Sequence, residues 1–297
     1  MRANIKKKIR FSLRGKCAQE AGIEVRRFLP NEFVQAIGPF VFIEHFLSYK
    51  QLNGSQNGLV DNRSIPCRGI AIFTYILAGE VEHLDSIGNH VKLSSGGVHW
   101  TSSGKGIILY ETIMSDFRVS NPDISVVRFW VNLPSKYKSG EPEYLSFQSD
   151  EIPKKELDDI AGWIKILSGE YENEMAKVPC CSKEFLYHIH LEGGKQFSII
   201  TGKAIEYAAF LPSGRIVIND VEFQAGNLVA FTSGGEIVEL YNSSEIVVDI
   251  ILFGGEPYKE PIVAEGTFVM NTPHEITQAF NDYYDGKYGQ IKNSEKS

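Results

Sequence analysis

Short runs rich in Val, Ile, Phe and Tyr recur along the chain, at 70–77, 126–133, 185–191, 204–210, 228–231 and 246–253. Gly, Pro, Asn or Ser bounds them, which is the pattern of many short strands in a sandwich or barrel. Within 185–191, Tyr187, Ile189 and Leu191 alternate with His188 and His190, and Glu192 follows. A period of two puts the apolar set on the core and the histidines on the outer, solvated face. Helical spacing comes at the end of the chain. Thr272-Pro273-His274-Glu275 has the form of a capping box with Pro at the first helical position. Ile276, Ala279, Phe280 and Tyr283 then share one face, and Gly286 can close the helix. That apolar stripe is expected to dock on the body of the protein. Residues 287–297 read as a frayed polar tail.

The pattern repeats. Gly96-Gly97-Val98-His99-Trp100-Thr101-Ser102-Ser103-Gly104 aligns without a gap on Gly226-Asn227-Leu228-Val229-Ala230-Phe231-Thr232-Ser233-Gly234. Upstream, Gly79-Glu80-Val81-Glu82 finds its counterpart in Gly202-Lys203-Ala204-Ile205-Glu206. A chain of 297 residues is at the limit of a single core, so a duplicated β-barrel is the architecture expected. The reading is all-β: a first barrel over 1–134, a polar linker with Pro142 and Pro153 over 135–159, a second barrel over 160–272, the helix over 273–286 and the tail.

Thirty basic against 37 acidic residues leave a net charge of −7, which argues against nucleic-acid binding, since that needs a surplus of Lys and Arg. No run is long and apolar enough to span a membrane. The basic run from Arg2 to Lys16 has no apolar segment behind it, so no secretory signal is read. The four cysteines, Cys17, Cys67, Cys180 and Cys181, form no CxxC pair or zinc spacing and fit a reducing cytoplasm. The vicinal pair Cys180-Cys181 is read as incidental.

Several long motifs, in order, carry a family resemblance. They are Val25-Arg26-Arg27, Gly38-Pro39-Phe40-Val41-Phe42-Ile43-Glu44-His45-Phe46, Arg68-Gly69, the stretch 74–89, Trp130-Val131-Asn132-Leu133-Pro134, Gly254-Gly255-Glu256-Pro257 and Phe268-Val269-Met270-Asn271-Thr272. The chain resembles the pirins over nearly its whole length. The resemblance implies a bicupin: two jelly-roll-like cupin barrels in tandem, with the C-terminal helix. It also implies a family metal in the first barrel, iron or another divalent ion. The ligands would come from a His-Pro-His element before Arg-Gly and a His-x-Glu element after the second Gly turn. Here those elements read Ile65-Pro66-Cys67 and Leu109-Tyr110-Glu111, and Ala71 replaces a usual glutamate.

Ile65 and Leu109 carry no lone pair, and Cys67 and Glu111 alone do not complete a site. The expectation is a barrel pocket without metal or other cofactor, lined by Ile65, Cys67, Leu109 and Glu111. If a metal binds at all, it is through Cys67 and Glu111 with His99 as a possible extra donor. Buried without a cation, Glu111 needs a hydrogen-bond donor or a raised pKa. His83, His45, His90 and His274 read as structural or surface residues, and Asp85 and Asn89 as the ends of a turn. No nucleophile elbow or phosphate loop is present. No catalytic residue is assigned.

Pirins act either as metal-dependent dioxygenases on flavonols such as quercetin or as regulators that bind other proteins. The chain therefore reads as a non-catalytic binding or regulatory protein with a small-molecule or protein partner. The alternative is a quercetin 2,3-dioxygenase-like oxygenase with a remodelled site.

Overall fold

The computed structural model describes residues 5–20, 23–48, 64–114 and 123–292. The chain divides into two compact units. One comprises Cys17–Val25, Val41–Glu151 and Lys259–Ser297; the other comprises Met1–Lys16, Arg26–Phe40 and Ile152–Tyr258. The first unit is built around a seven-stranded sheet, in the order Glu143–Phe147, Val98–Ser102, Ile70–Ala78, Ile124–Asn132, Phe40–Ser48, Ile23–Leu29, Lys16–Glu20. A four-stranded sheet accompanies it: Ile65–Cys67, Ile107–Met114, Glu80–Asp85, His90–Ser94.

The other unit repeats the plan. Its seven-stranded sheet runs Ile9–Arg14, Asn227–Phe231, Glu206–Phe210, Val248–Gly255, Phe185–Leu191, Gly162–Ser168, Lys154–Glu156. Its four-stranded sheet runs Gln196–Ile200, Ile237–Tyr241, Arg215–Ile218, Val221–Gln224. Val98–Ser102 and Asn227–Phe231, the two copies of the sequence repeat, take the same place in their sheets, second from one edge. The expected pair of jelly-roll-like barrels is what the chain forms.

The units do not follow chain order as the sequence suggested. Ile9–Arg14 lies in the second unit, pairing antiparallel with Asn227–Phe231, where Leu13 faces Leu228. The segment expected as a linker supplies edge strands instead. Glu143–Phe147 pairs with Val98–Ser102, and Lys154–Glu156 pairs with Gly162–Ser168. Unpaired sheet edges expose backbone N–H and C=O groups, and a short strand set in a polar, Pro-containing stretch can cover them.

The helix spans Pro273–Tyr284 and belongs to the first unit. The Thr272 Oγ1 accepts the Glu275 N–H at 3.2 Å, and the Glu275 carboxylate accepts the Asn271 N–H at 3.0 Å. Ile276 and Ala279 bury themselves with Phe268, Met270 and Tyr288. Tyr288 corrects the tail reading: it is buried, its hydroxyl donates to the Ala279 carbonyl at 2.8 Å, and the polar end begins after it. Residues 293–297 lie outside the described residues. Tyr288 also requires Gly106, whose φ is +134° and where a Cβ would stand 2.1 Å from the tyrosine ring. Among the described residues no helix is long and apolar enough to cross a membrane.

Candidate functional site

Alternation decides what enters the first barrel. Strand Ile107–Met114 sits between two partners: Leu109 faces Ile65 on one side and Asp85 on the other, and Glu111 faces His83. Cys67 pairs with Ile107. The four positions picked out by the family resemblance thus come together on neighbouring strands. Cys67 and Leu109 are core: they cluster with Ile70, Ile72, Ile107 and Val269, with Ile65 and Trp130 against them. Burial pushes the Cys67 thiol up to about 12, with the nearby Arg128 charge opposing and Glu111 adding to it. The thiol is protonated at neutral pH, so it is a poor nucleophile, and a metal would have to displace its proton to bind.

Glu111 is the exception in this apolar set. On the strand Ile124–Asn132, Ile124 and Val126 face the core and Trp130 packs beside Cys67, so the same alternation turns Arg128 inward. Arg128 pairs in register with Thr74. Its Nη2 donates to a Glu111 oxygen at 2.8 Å, and the Thr74 hydroxyl reaches the same carboxylate at 3.0 Å. The His83 Nδ1 stands 3.3 Å from the other oxygen. Burial alone would raise the Glu111 pKa. The Arg128 charge, helped by His83, outweighs it and holds the carboxyl well below the usual range. Arg128 also stands 3.7 Å from Glu44 and 4.9 Å above the Phe46 ring.

His83 extends the network. Its Nε2 lies 3.2 Å from the Asp85 carboxylate, so a carboxylate faces each ring nitrogen, and both can be served only by the imidazolium. Burial would depress the His83 pKa, but Asp85 and Glu111 raise it overall. Asp85 does close the turn expected of it, accepting the Ile87 and Asn89 N–H groups at 3.0 and 2.9 Å, and it also anchors His83. Beside them the His99 Nδ1 is 2.6 Å from the Tyr144 hydroxyl, and its Nε2 is 3.3 Å from the Val81 carbonyl. A carbonyl only accepts, so Nε2 carries the proton and Nδ1 takes the Tyr144 hydrogen bond. Both nitrogens of the expected extra donor are occupied. Tyr144 stacks on His83 at 4.3 Å.

Sequence reasoning missed Arg128, Thr74, His83 and Tyr144. Arg128 had a signal: it is the lone cation in the apolar run 126–133, at an inward position. Tyr144 had none, since it lies in the polar segment read as a linker.

Burial is the main reason that the His99 pKa falls to about 4; Glu111 opposes it and His83 adds to it. A histidine held neutral gives stability that is complete above the unfolded pKa near 6.5 and is lost as pH falls towards 4. The loss amounts to about 3 kcal/mol. Urea unfolding between pH 7.5 and 4.5 is therefore expected to weaken with acid, and His99→Gln, which keeps both hydrogen bonds, to flatten that decline by about one proton.

In the second barrel Tyr187, Ile189 and Leu191 face the core as expected. The opposite face is not simply solvated. His188 is buried, and it and His190 both meet one Asp249 oxygen, at 2.9 and 2.7 Å. Trp163 stacks on His190 at 4.6 Å. Cys180 and Cys181 form no disulfide. Among the described residues no group of three or more His, Cys, Asp or Glu is arranged to hold a metal ion.

A family profile described as Pirin matches residues 22–131, and one described as the Pirin C-terminal cupin domain matches residues 186–289. The chain belongs to the pirin family. A pirin-like protein 2 of Arabidopsis thaliana is 30% identical over 275 residues, covering 90% of this chain and 81% of its own length. The crystal structure of a quercetin 2,3-dioxygenase from Acinetobacter baumannii superposes with a TM-score of 0.85 at 26% identity, covering 97% of this chain and 100% of that one. A bacterial pirin from Escherichia coli, solved in complex with nickel(II), shares the fold at TM-score 0.64 and 17% identity, over 84% of this chain and 99% of its own. Pirin-family barrels thus include metal-bound members, and the two sheet pairs described above are this pirin's two cupin domains.

Proposed function

We propose that this pirin works without the family's metal, as a binding or regulatory protein rather than an oxygenase. Glu111 carries the reading. It is the one position of the four that keeps the family's ligand type, and its charge is already answered by Arg128 at 2.8 Å. A cation bound there would have to displace the guanidinium and would find no lone pair on Ile65 or Leu109. It would also find a protonated thiol at Cys67 and a His99 with both nitrogens engaged. The donor set does not fit the group.

The partner this reading implies is a small molecule or another protein. The acidic composition speaks against direct nucleic-acid binding, and the sparse cysteines are consistent with the cytoplasm.

The competing reading draws on the quercetin 2,3-dioxygenase that shares the fold: a metal-dependent oxygenase using Cys67, Glu111 and His99. Oxygen uptake separates the two. Full-length protein incubated with iron, copper, manganese or nickel and then with quercetin is expected to consume oxygen at the rate of a buffer blank. Uptake well above the blank that Glu111→Ala abolishes would replace the binding reading by the oxygenase one.

A further inference from the structure

We infer that the second barrel carries its own ligand site, a pocket for a planar aromatic anion, separate from the residues of the first barrel. It goes beyond the reading above and does not depend on it. A cavity of about 640 Å³ opens among residues that all belong to the second unit. That volume is in the range of pockets that bury a drug-sized ligand.

Three rings form one wall. Phe185 lies 4.9 Å from Tyr187 on its own strand and 4.8 Å from Tyr207, which reaches it across Gly254 of the strand between. Ile205, Val178 and Ala176 add aliphatic surface. An aromatic wall backed by aliphatic side chains favours a flat apolar ligand, through area burial and ring stacking. The site is not a void of the core, because the segment 175–180 that lines it is largely exposed.

The polar groups set the sign of the charge. The Tyr187 hydroxyl is spent on the Glu170 carbonyl. The Tyr207 oxygen accepts the Gly202 N–H at 2.9 Å, so its own hydrogen remains to be donated. Behind that ring stands Lys7, 1% exposed, with its ammonium 5.2 Å from the ring centroid. Its hydrogen bonds go to the Thr232 and Ser233 carbonyls, both long at 3.3 Å, and no carboxylate pairs with it among the described residues. Burial lowers the Lys7 pKa, and an anion placed on this side of the Tyr207 ring would favour its charged form. In the lining, the buried Glu184 carboxylate is held by the Cys181 and Ser182 N–H groups, and Lys183 pairs with Glu256. Glu170 is exposed to water. A ligand that stacks on the rings and places an acid group or other acceptor toward Tyr207 and Lys7 satisfies all of these.

Two fluorescent probes test this on the full chain: 8-anilinonaphthalene-1-sulfonate, a planar anion, and its uncharged relative N-phenyl-1-naphthylamine. The anion is expected to bind saturably at one site per chain. Ala176→Trp, which fills the cavity from its rim, is expected to weaken both probes at least about tenfold. Lys7→Met and Tyr207→Phe, which keep core volume, are expected to weaken the anion about five- to tenfold and leave the uncharged probe unchanged. The thermal midpoint and near-ultraviolet circular dichroism of each variant establish that it is folded. Absence of saturable binding overturns the proposal. So does a folded Ala176→Trp that binds both probes as before, and so do Lys7→Met and Tyr207→Phe variants that keep the full affinity for the anion.

Discussion

Arg128→Met is expected to destabilise the protein by about 3–5 kcal/mol, the range for removing one partner of a buried ion pair. The guanidinium is the strongest cation beside Glu111, at 2.8 Å, and both side chains are almost wholly buried. Without it only the Thr74 hydroxyl and His83 remain to set against desolvation of the carboxylate. The double variant Arg128→Met with Glu111→Gln is expected to recover a large part of that loss, because a neutral amide no longer needs the cation and can still use Thr74. Denaturant unfolding of the three proteins at pH 7 reads both effects. The pH dependence has a definite sign. Glu111 is held below its usual pKa, so its contribution is present above the unfolded value near 4.3 and is lost as pH falls further. A single variant that costs less than about 1 kcal/mol would mean that Arg128 is incidental to Glu111.

The second large effect comes from rebuilding the family's ligands. Ile65→His, Cys67→His and Leu109→His together place three imidazoles around Glu111, on strands already paired in that register. The triple variant is nevertheless expected to bind nickel poorly, because Arg128 occupies the carboxylate. A unit charge about 4 Å from another costs on the order of 4 kcal/mol at an effective dielectric of 20. Adding Arg128→Gln is therefore expected to tighten nickel binding at least a hundredfold over the triple variant, measured by competition with a chelator. Equal affinities would show that the guanidinium is no barrier to a metal.

The fold was legible because alternation and duplication are written at every strand. The Gly-bounded repeat at 96–104 and 226–234 carries the equivalent strands of two equivalent sheets. Strand exchange between the chain ends was not legible. Ile9–Arg14 pairs with residues more than 200 positions away, and nothing local in a basic strand names its partner. The edge strand Glu143–Phe147, short and set in a polar stretch with Pro142 and Pro153, looked like a connection. The site was half legible. The missing histidines at 65, 67 and 109 stood in the sequence, and the need of Glu111 for a partner followed from desolvation alone. Which partner it found depends on the register that sets Arg128 against Thr74, a pairing between strands some 50 residues apart. His83 and Asp85 looked like fixtures of a family motif and a turn. Only the pairing of Glu111 with His83 reveals that they continue its charge network.

In the proposed reading Arg128, and not a metal, answers the charge of Glu111. Elemental mass spectrometry tests it most directly, on full-length protein expressed in iron-supplemented medium and purified without a histidine tag. Far less than one equivalent of any transition metal per chain is expected, with no recovery after incubation with iron, copper, manganese or nickel. About one equivalent per chain that disappears in Glu111→Ala would contradict that reading.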